Sequence, residues 1–217
     1  MTVIAAIEAR RATRAFTPTP VDDASIQALL RAAVRAPTAM HAEPWAFVVV
    51  QDRGVLRRIS ERAQALAERH RPHEVKPGLV RTASAPSVAV HVFPPAFNIF
   101  YDAGTLIVIC SRSPGPFGAA DCWLAAATLM LAATARGLGT CPIGFAMEAL
   151  QEADLKAALG IPAEVTAVAA VVVGDPAFEV AQTTRRNPEV LRWLREAGAA
   201  GPEEPRELLR ANRPVMT

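Results

Sequence analysis

Residues 119–144 read AADCWLAAATLMLAATARGLGTCPIG, and the reading of this stretch decides the fold. On a helical period its apolar and small side chains, Leu124, Leu129, Met130 and Leu131 among them, cover every face, so a helix here must be enclosed by protein or by lipid. Lipid is the poorer solution. The run is rich in Ala rather than Leu or Ile, carries Asp121 near its start and Arg136 at its end, and has no second spanning segment beside it. A central helix is therefore expected. Its small residues Ala125, Ala126, Ala127, Ala132 and Ala133 allow close approach by a neighbour from the same chain or from a second copy. Gly137 and Gly139 let the chain leave the helix and turn.

A chain of 217 residues is long enough for one good core and short for two, which predicts one domain over 1–217 with residues 183–217 as a C-terminal tail. Hydrophobic residues make up 51% and charged residues 20%, the balance of a compact globular protein. A formal net charge of +2 with Arg interleaved among Glu and Asp argues against nucleic-acid binding, since no basic stripe forms. Lys occurs only at positions 76 and 156, so Arg is the general cation here and carries less functional meaning than usual. Cys110, Cys122 and Cys141 sit in apolar surroundings, with an odd count, no CxxC and no secretory pattern in MTVIAAIEARRATRAF. They predict reduced, buried thiols and a cytoplasmic location.

Around the central stretch, Val3, Ile4 and Ile7 mark one face of a short first helix. Ile26, Leu29, Leu30 and Ala33 mark a second, capped by Asp22 or Asp23 and ended before Pro37. The apolar run 46–50 predicts a strand buried on both faces, 53–71 a helix, and 105–110 and 165–173 further buried strands. A helix is expected at about 148–159 and a short one around 190–194. The Pro-interrupted stretch 72–100, with a possible strand at 87–93, has the character of a binding loop or lid. Helices first, then strands separated by helices, give an α+β fold with a small central sheet.

No chemistry-bearing motif of the usual kinds is present. GLGTCPIG follows a helix and lacks the glycine spacing of a dinucleotide fingerprint, and there is no GxSxG, P-loop, HExxH or convincing triad among the four His residues. With no protein-borne nucleophile or metal site, an enzyme built this way needs a cofactor. Arg10 and Arg14, at i and i+4, together with Arg186, could converge on an anion by bidentate guanidinium contacts. The competing reading, a solvated Arg-rich surface, stays open on composition alone.

Five segments in order resemble one family. ARRATRAF (9–16) is similar to an RRSxRxF opening, and APTAMHAEPWAFVVV (36–50) to APSSxNxQPWxFxVV. DCWLAAATLMLAATARGLGTCPIGF (121–145) is similar to a central helix with its GLGTCxIG turn. GIPAEVTAVAAVVVGDPA (160–177) and TTRRNPEVL (183–191) are similar to a last strand and an Arg-bearing tail. Together these resemble the nitroreductase family of FMN-dependent oxidoreductases.

The resemblance implies a three-layer α-β-α fold, with a mostly antiparallel sheet flanked by helices, in an intertwined homodimer. It also implies FMN as cofactor and NAD(P)H as electron donor in a ping-pong cycle, with a nitroaromatic, quinone or flavin as acceptor. By the same resemblance, Arg10, with Arg11 and Ala12 beside it, faces the FMN phosphate, and Arg14 the ribityl chain and flavin N1/C2 carbonyl. Pro37, Thr38, Ala39 and the nearby His41 pack on the ring from the other subunit. Pro142, Ile143 and Gly144 form the turn whose backbone N–H reaches flavin N5, and Arg185 and Arg186 close on the phosphate. The chemistry carried by FMN leaves no catalytic side chain to name. Other outcomes stay open: a specialised flavin-dependent dehydrogenase or oxidase of the same fold, or an FMN-binding sensor without turnover.

The chain also departs from the pattern. Ala12 replaces a Ser, which removes one hydroxyl contact worth about 1 kcal/mol. His41 and Glu43 replace Asn and Gln; either they alter flavin binding or acceptor choice, or they simply pair with each other or with backbone. His91, Phe93, Phe97, Phe100 and Tyr101 are candidate lining for the acceptor pocket, against the alternative that they are core.

Overall fold

The strand Thr105–Ser111 (TLIVICS) is buried at every position, which is why its sequence runs apolar without alternation. It is an inner strand of a four-stranded sheet described by a computed structural model covering residues 1–69, 97–181 and 184–194. The strands are β1 (Trp45–Val50), β2 (Thr105–Ser111), β3 (Gly139–Pro142) and β4 (Thr166–Gly174), in the order β1-β2-β4-β3. Every neighbouring pair is antiparallel, with Val48 opposite Val108, Ile107 opposite Val171 and Cys141 opposite Val172. A register shift at Ile109/Cys110 interrupts the β2–β4 ladder.

Alternation divides the sheet into two faces, each covered by helices. Leu106, Val108, Cys110, Ala170 and Val172 pack with Leu56, Ile59, Ala63 and Leu66 of α3 (Arg53–Arg69) and with Leu155 of α5 (Ala153–Ala158). Ile107, Ile109, Ala169, Val171 and Val173 pack with Ile26, Leu29 and Ala33 of α2 (Asp23–Ala33) and with Cys122, Ala125, Ala126, Leu129 and Ala133 of α4 (Pro116–Ala135). The result is the expected α+β, three-layer α-β-α arrangement around a mostly antiparallel sheet.

The central helix is α4. Pro116 opens it, where a missing N–H costs nothing, and a Schellman motif closes it: Leu138 N–H donates to Ala133 O (3.0 Å) and Gly137 N–H to Thr134 O (3.0 Å), with Gly137 at φ 80°. By length and composition α4 is apolar enough to cross a membrane. Its sheet-facing stripe is nonetheless spent on the second core. Among the described residues the expected enclosure on every face is not supplied, since Phe117, Trp123 and Leu124 stay 70%, 44% and 44% exposed. The neighbouring α1 (Val3–Ala9) behaves likewise: only Ala6 is buried, while Val3, Ile4 and Ile7 face outward.

Two other helices differ from the sequence reading. The single helix expected at 148–159 is a 3-10 turn, Ala149–Gln151, followed by α5, with Glu152 in extended conformation (φ −66°, ψ 136°) between them. Glu152 is held there by ion pairs to Arg62 and Arg69 of α3. Contacts divide the chain into the units Met1–Thr183 and Thr184–Thr217. In the second, residues 184–194 are irregular and the helix expected around 190–194 is not formed. Five residues close too few hydrogen bonds to offset helix nucleation. The strand expected at 87–93 and most of the stretch 72–100 lie outside the described residues.

Candidate functional site

After α1 the chain runs in extended form along the free edge of β3. Ala12 pairs with Thr140 in a parallel bridge and Thr13 N–H donates to Thr140 O (2.9 Å). Phe16 then pairs with Pro176, flanked by Thr17 N–H to Asp175 O (2.9 Å) and Ala177 N–H to Ala15 O (3.0 Å). Thr13 and Phe16 point inward, at 3% and 5% exposure, which leaves Arg14 exposed and Arg10 half-buried on the outer side. Close approach depends on Gly139, where a Cβ would stand 2.6 Å from Thr13 Oγ1.

The guanidinium groups of Arg10 and Arg14 gather at this edge. Burial raises the Cys141 thiol pKa, and Arg14 and then Arg10 pull against that rise, so both charges lie close to β3. Neither makes a hydrogen bond or ion pair among the described residues. Arg11 differs: its Nη1 donates to Glu8 O and to Arg10 O (3.0 Å), and its Nε is buried without a partner. Thr140 Oγ1, beside Ala12, is likewise buried, and neither atom has a partner among the described residues.

At the far end of β3, Pro142 pairs with Val171 and the chain turns into a 3-10 turn, Gly144–Ala146. The two N–H groups of the turn are not equivalent. Ile143 N–H donates to Ala170 O (2.7 Å) and its side chain is in the first core, so its donor is spent. Gly144 is exposed, its N–H has no partner among the described residues, and an added Cβ would meet nothing within 4 Å. Two uncommitted cations and an uncommitted backbone donor facing open space suit an anionic, hydrogen-bonding cofactor.

Pro37, Thr38, Ala39 and His41 are not part of this cluster. Their loop leads into β1, the opposite edge strand, three strand spacings or about 14 Å from β3. Ala39 N–H donates to both carboxylate oxygens of Asp121 on α4 (3.2 Å each). Beyond it Met40, His41 and Glu43 have φ of 53°, 54° and 43°, a left-handed conformation uncommon for residues other than glycine, and Met40 is 98% exposed. The pairing of His41 with Glu43 or with backbone is not formed, as neither side chain makes a hydrogen bond or ion pair among the described residues. Arg185 and Arg186 lie in the second unit, both exposed.

Of the candidate pocket residues, Phe100 is fully buried and belongs to the core. Phe97 and Tyr101 meet edge to face (5.7 Å, 79°) and share with Arg14, Asn98 and Asp102 a groove of about 440 Å³. His91 and Phe93 lie outside the described residues. Sequence reasoning did not single out the contact of Asp121 with this loop; a lone carboxylate on the buried stripe of an apolar helix was the signal available.

Residues 7–175 match the sequence model of the Nitroreductase family. The chain is 31% identical over 180 residues to 5,6-dimethylbenzimidazole synthase of Rhodospirillum rubrum, covering 78% of this chain and 80% of that protein. It is 28% identical over 181 residues to NADH dehydrogenase of Thermus thermophilus, covering 78% and 84%. In fold it is similar to a nitroreductase with bound FMN from Bacteroides fragilis, with a TM-score of 0.71 at 22% identity, covering 90% of this chain and 100% of that one.

Proposed function

The chain belongs to the nitroreductase family and is an oxidoreductase of the flavin-using kind, and on that premise we propose that it binds FMN and passes electrons from NAD(P)H to an electron-poor acceptor in a ping-pong cycle. The acceptor is a nitroaromatic, a quinone or a free flavin. The observation that supports this reading is that Arg10 and Arg14 lie along the free edge of β3 and the Gly144 N–H follows its end, none of them with a protein partner among the described residues. FMN, when bound, would supply the two-electron chemistry.

The protein's own part is binding and orientation. Arg10 holds the phosphate, and the tail residues Arg185 and Arg186 are proposed as further FMN ligands. Arg14 sets a positive charge against the N1/C2-carbonyl edge, where it favours the reduced state. The Gly144 N–H serves N5 alone, since Ile143 has given its own to Ala170. Pro37, Thr38 and Ala39, on the opposite sheet edge, complete the site only when brought by a second copy, so the working form is a homodimer. Residues 1–217 act as one cofactor-binding domain with 183–217 as its extension, in the cytoplasm, with no nucleic acid or membrane as partner.

The relative named 5,6-dimethylbenzimidazole synthase favours one further reading, a specialised flavin-dependent dehydrogenase or oxidase on the same site. Anaerobic titration of the purified protein with NADPH and with NADH tests the proposal. Bleaching of the visible flavin band, followed by reoxidation with nitroaromatics, quinones or free flavins, is expected. A bound flavin that neither nucleotide reduces would leave a binding or sensing protein instead. Reduction without turnover of any of the three acceptor classes would favour the specialised reading.

A further inference from the structure

Asp121 is the only charged residue in α4, and it sits on the sheet-facing stripe among Gly118, Cys122 and Ala125 at 4% exposure. A carboxylate in such surroundings is costly unless its oxygens are satisfied. Among the described residues the one donor that reaches it is the N–H of Ala39, which lies 3.2 Å from each oxygen and 82 positions away in sequence. The contact is made at the base of a loop with three left-handed non-glycine residues, the first of them almost wholly exposed. Residues held in sparsely populated conformations persist only where their surroundings fix them, and here the charged anchor is under Ala39 while the loop beyond it projects outward.

We infer that Asp121 is a positioning residue for flavin binding: it fixes the loop from Pro37 to His41 that one protomer lends to the cofactor of its partner. This rests on the proposed function above, and acts through Ala39 without touching the flavin. Charge-assisted hydrogen bonds are about twice as strong as neutral ones, so the anchor suits a loop that must hold its shape on the outside of its own protomer.

Full-length Asp121→Ala and Asp121→Asn proteins test this. The measurements are the dissociation constant for FMN, by quenching of flavin fluorescence, and the absorption spectrum and midpoint potential of the bound flavin, beside the thermal midpoint. Asp121→Ala is expected to weaken FMN binding about 10-fold or more. It should also alter the flavin spectrum or potential. Asp121→Asn keeps an oxygen that accepts from Ala39 and should lose no more than about threefold. A simple packing role would lower the thermal midpoint without touching the spectrum or potential, and would not be rescued by Asn.

If Asp121→Ala does not fold, Ala39→Pro removes the donor from the other end. Thr38 already has the extended backbone that precedes proline (φ −131°, ψ 149°). It is expected to show the same loss of FMN. Wild-type FMN affinity, spectrum and potential in whichever of these variants folds, or equal losses in Asp121→Asn and Asp121→Ala, would overturn the inference. A wild-type protein that binds no FMN would instead reject the proposed function itself.

Discussion

Gly139 sets the distance between the Arg-bearing segment and the sheet. A Cβ there would lie 2.6 Å from Thr13 Oγ1 and 2.9 Å from its Cβ and Cγ2. Thr is stiff at χ1 and Thr13 is buried, so the conflict cannot be relieved by swinging an exposed chain end. Gly139→Ala should therefore push residues 12–14 off β3, costing about 1–3 kcal/mol in denaturant unfolding and lowering the FMN content of the purified protein. Undiminished stability and flavin content would show that this contact does not set the spacing. Arg10→Ala removes a guanidinium group that has no protein partner among the described residues and should weaken FMN binding roughly 10- to 100-fold, the range of a lost charge-assisted contact. Arg186→Ala should weaken it as well, and full flavin in both purified variants would refute the phosphate assignment. Arg10, Arg14 and Gly144 could be named as candidates because each belongs to a motif with local spacing. Asp121 could not, because its meaning lies in a hydrogen bond to Ala39 that no local pattern encodes.

At the scale of elements, the helix starts were the readable part. Asp22 caps α2, accepting from Ser25 N–H at 2.9 Å, and that backbone bond holds its carboxyl below the ordinary 3.8. A folded-state pKa under the unfolded one means that the stabilisation is present above pH 3.8 and is lost as pH falls through the lower folded value. Asp22→Ala should lower the thermal midpoint at neutral pH, and the gap from wild type should close in acid below pH 3.8. A gap that persists in strong acid would mean the cap does not depend on the charged carboxylate. The buried strands β2 and β4 were equally legible, since continuous β-branched runs fit a doubly covered sheet. What local pattern could not supply was the break at Glu152, the N-cap of α5, whose carboxylate pairs with Arg62 and Arg69 of another helix. Nor could it show the attachment of residues 12–17 to the sheet edge, a pairing across more than a hundred positions. The first helix shows the limit most clearly: its apolar period was correct, yet Val3, Ile4 and Ile7 are uncovered. Period identifies a face and leaves open what covers it.

The whole molecule poses one question that those exposed faces and the divided site answer together. Large apolar side chains stand outside on α1 and on α4, at Val3, Ile4, Ile7, Phe117, Trp123 and Leu124. Such surface is costly in water at about 25 cal/mol per Å², and a second copy would remove it. Independently, the loop from Pro37 to His41 leads into one edge strand and the Arg10–Arg14 segment lies along the other, so a site that uses both, as proposed, would be completed by a second copy. The proposed dimer, built on the α1 and α4 faces, would answer both, and it links two measurements that a monomeric enzyme would leave unrelated. Leu124→Arg places a charge on an exposed helical position, so the protomer fold should survive, as circular dichroism would register. In a sizing experiment with flavin detection, wild type should elute as a dimer carrying FMN. The variant should shift toward monomer and lose flavin in the same fractions, because separation of the copies takes away the loop that each site borrows. A monomer that keeps its flavin would refute the shared site, while a variant that stays dimeric and flavin-loaded would move the interface away from α4.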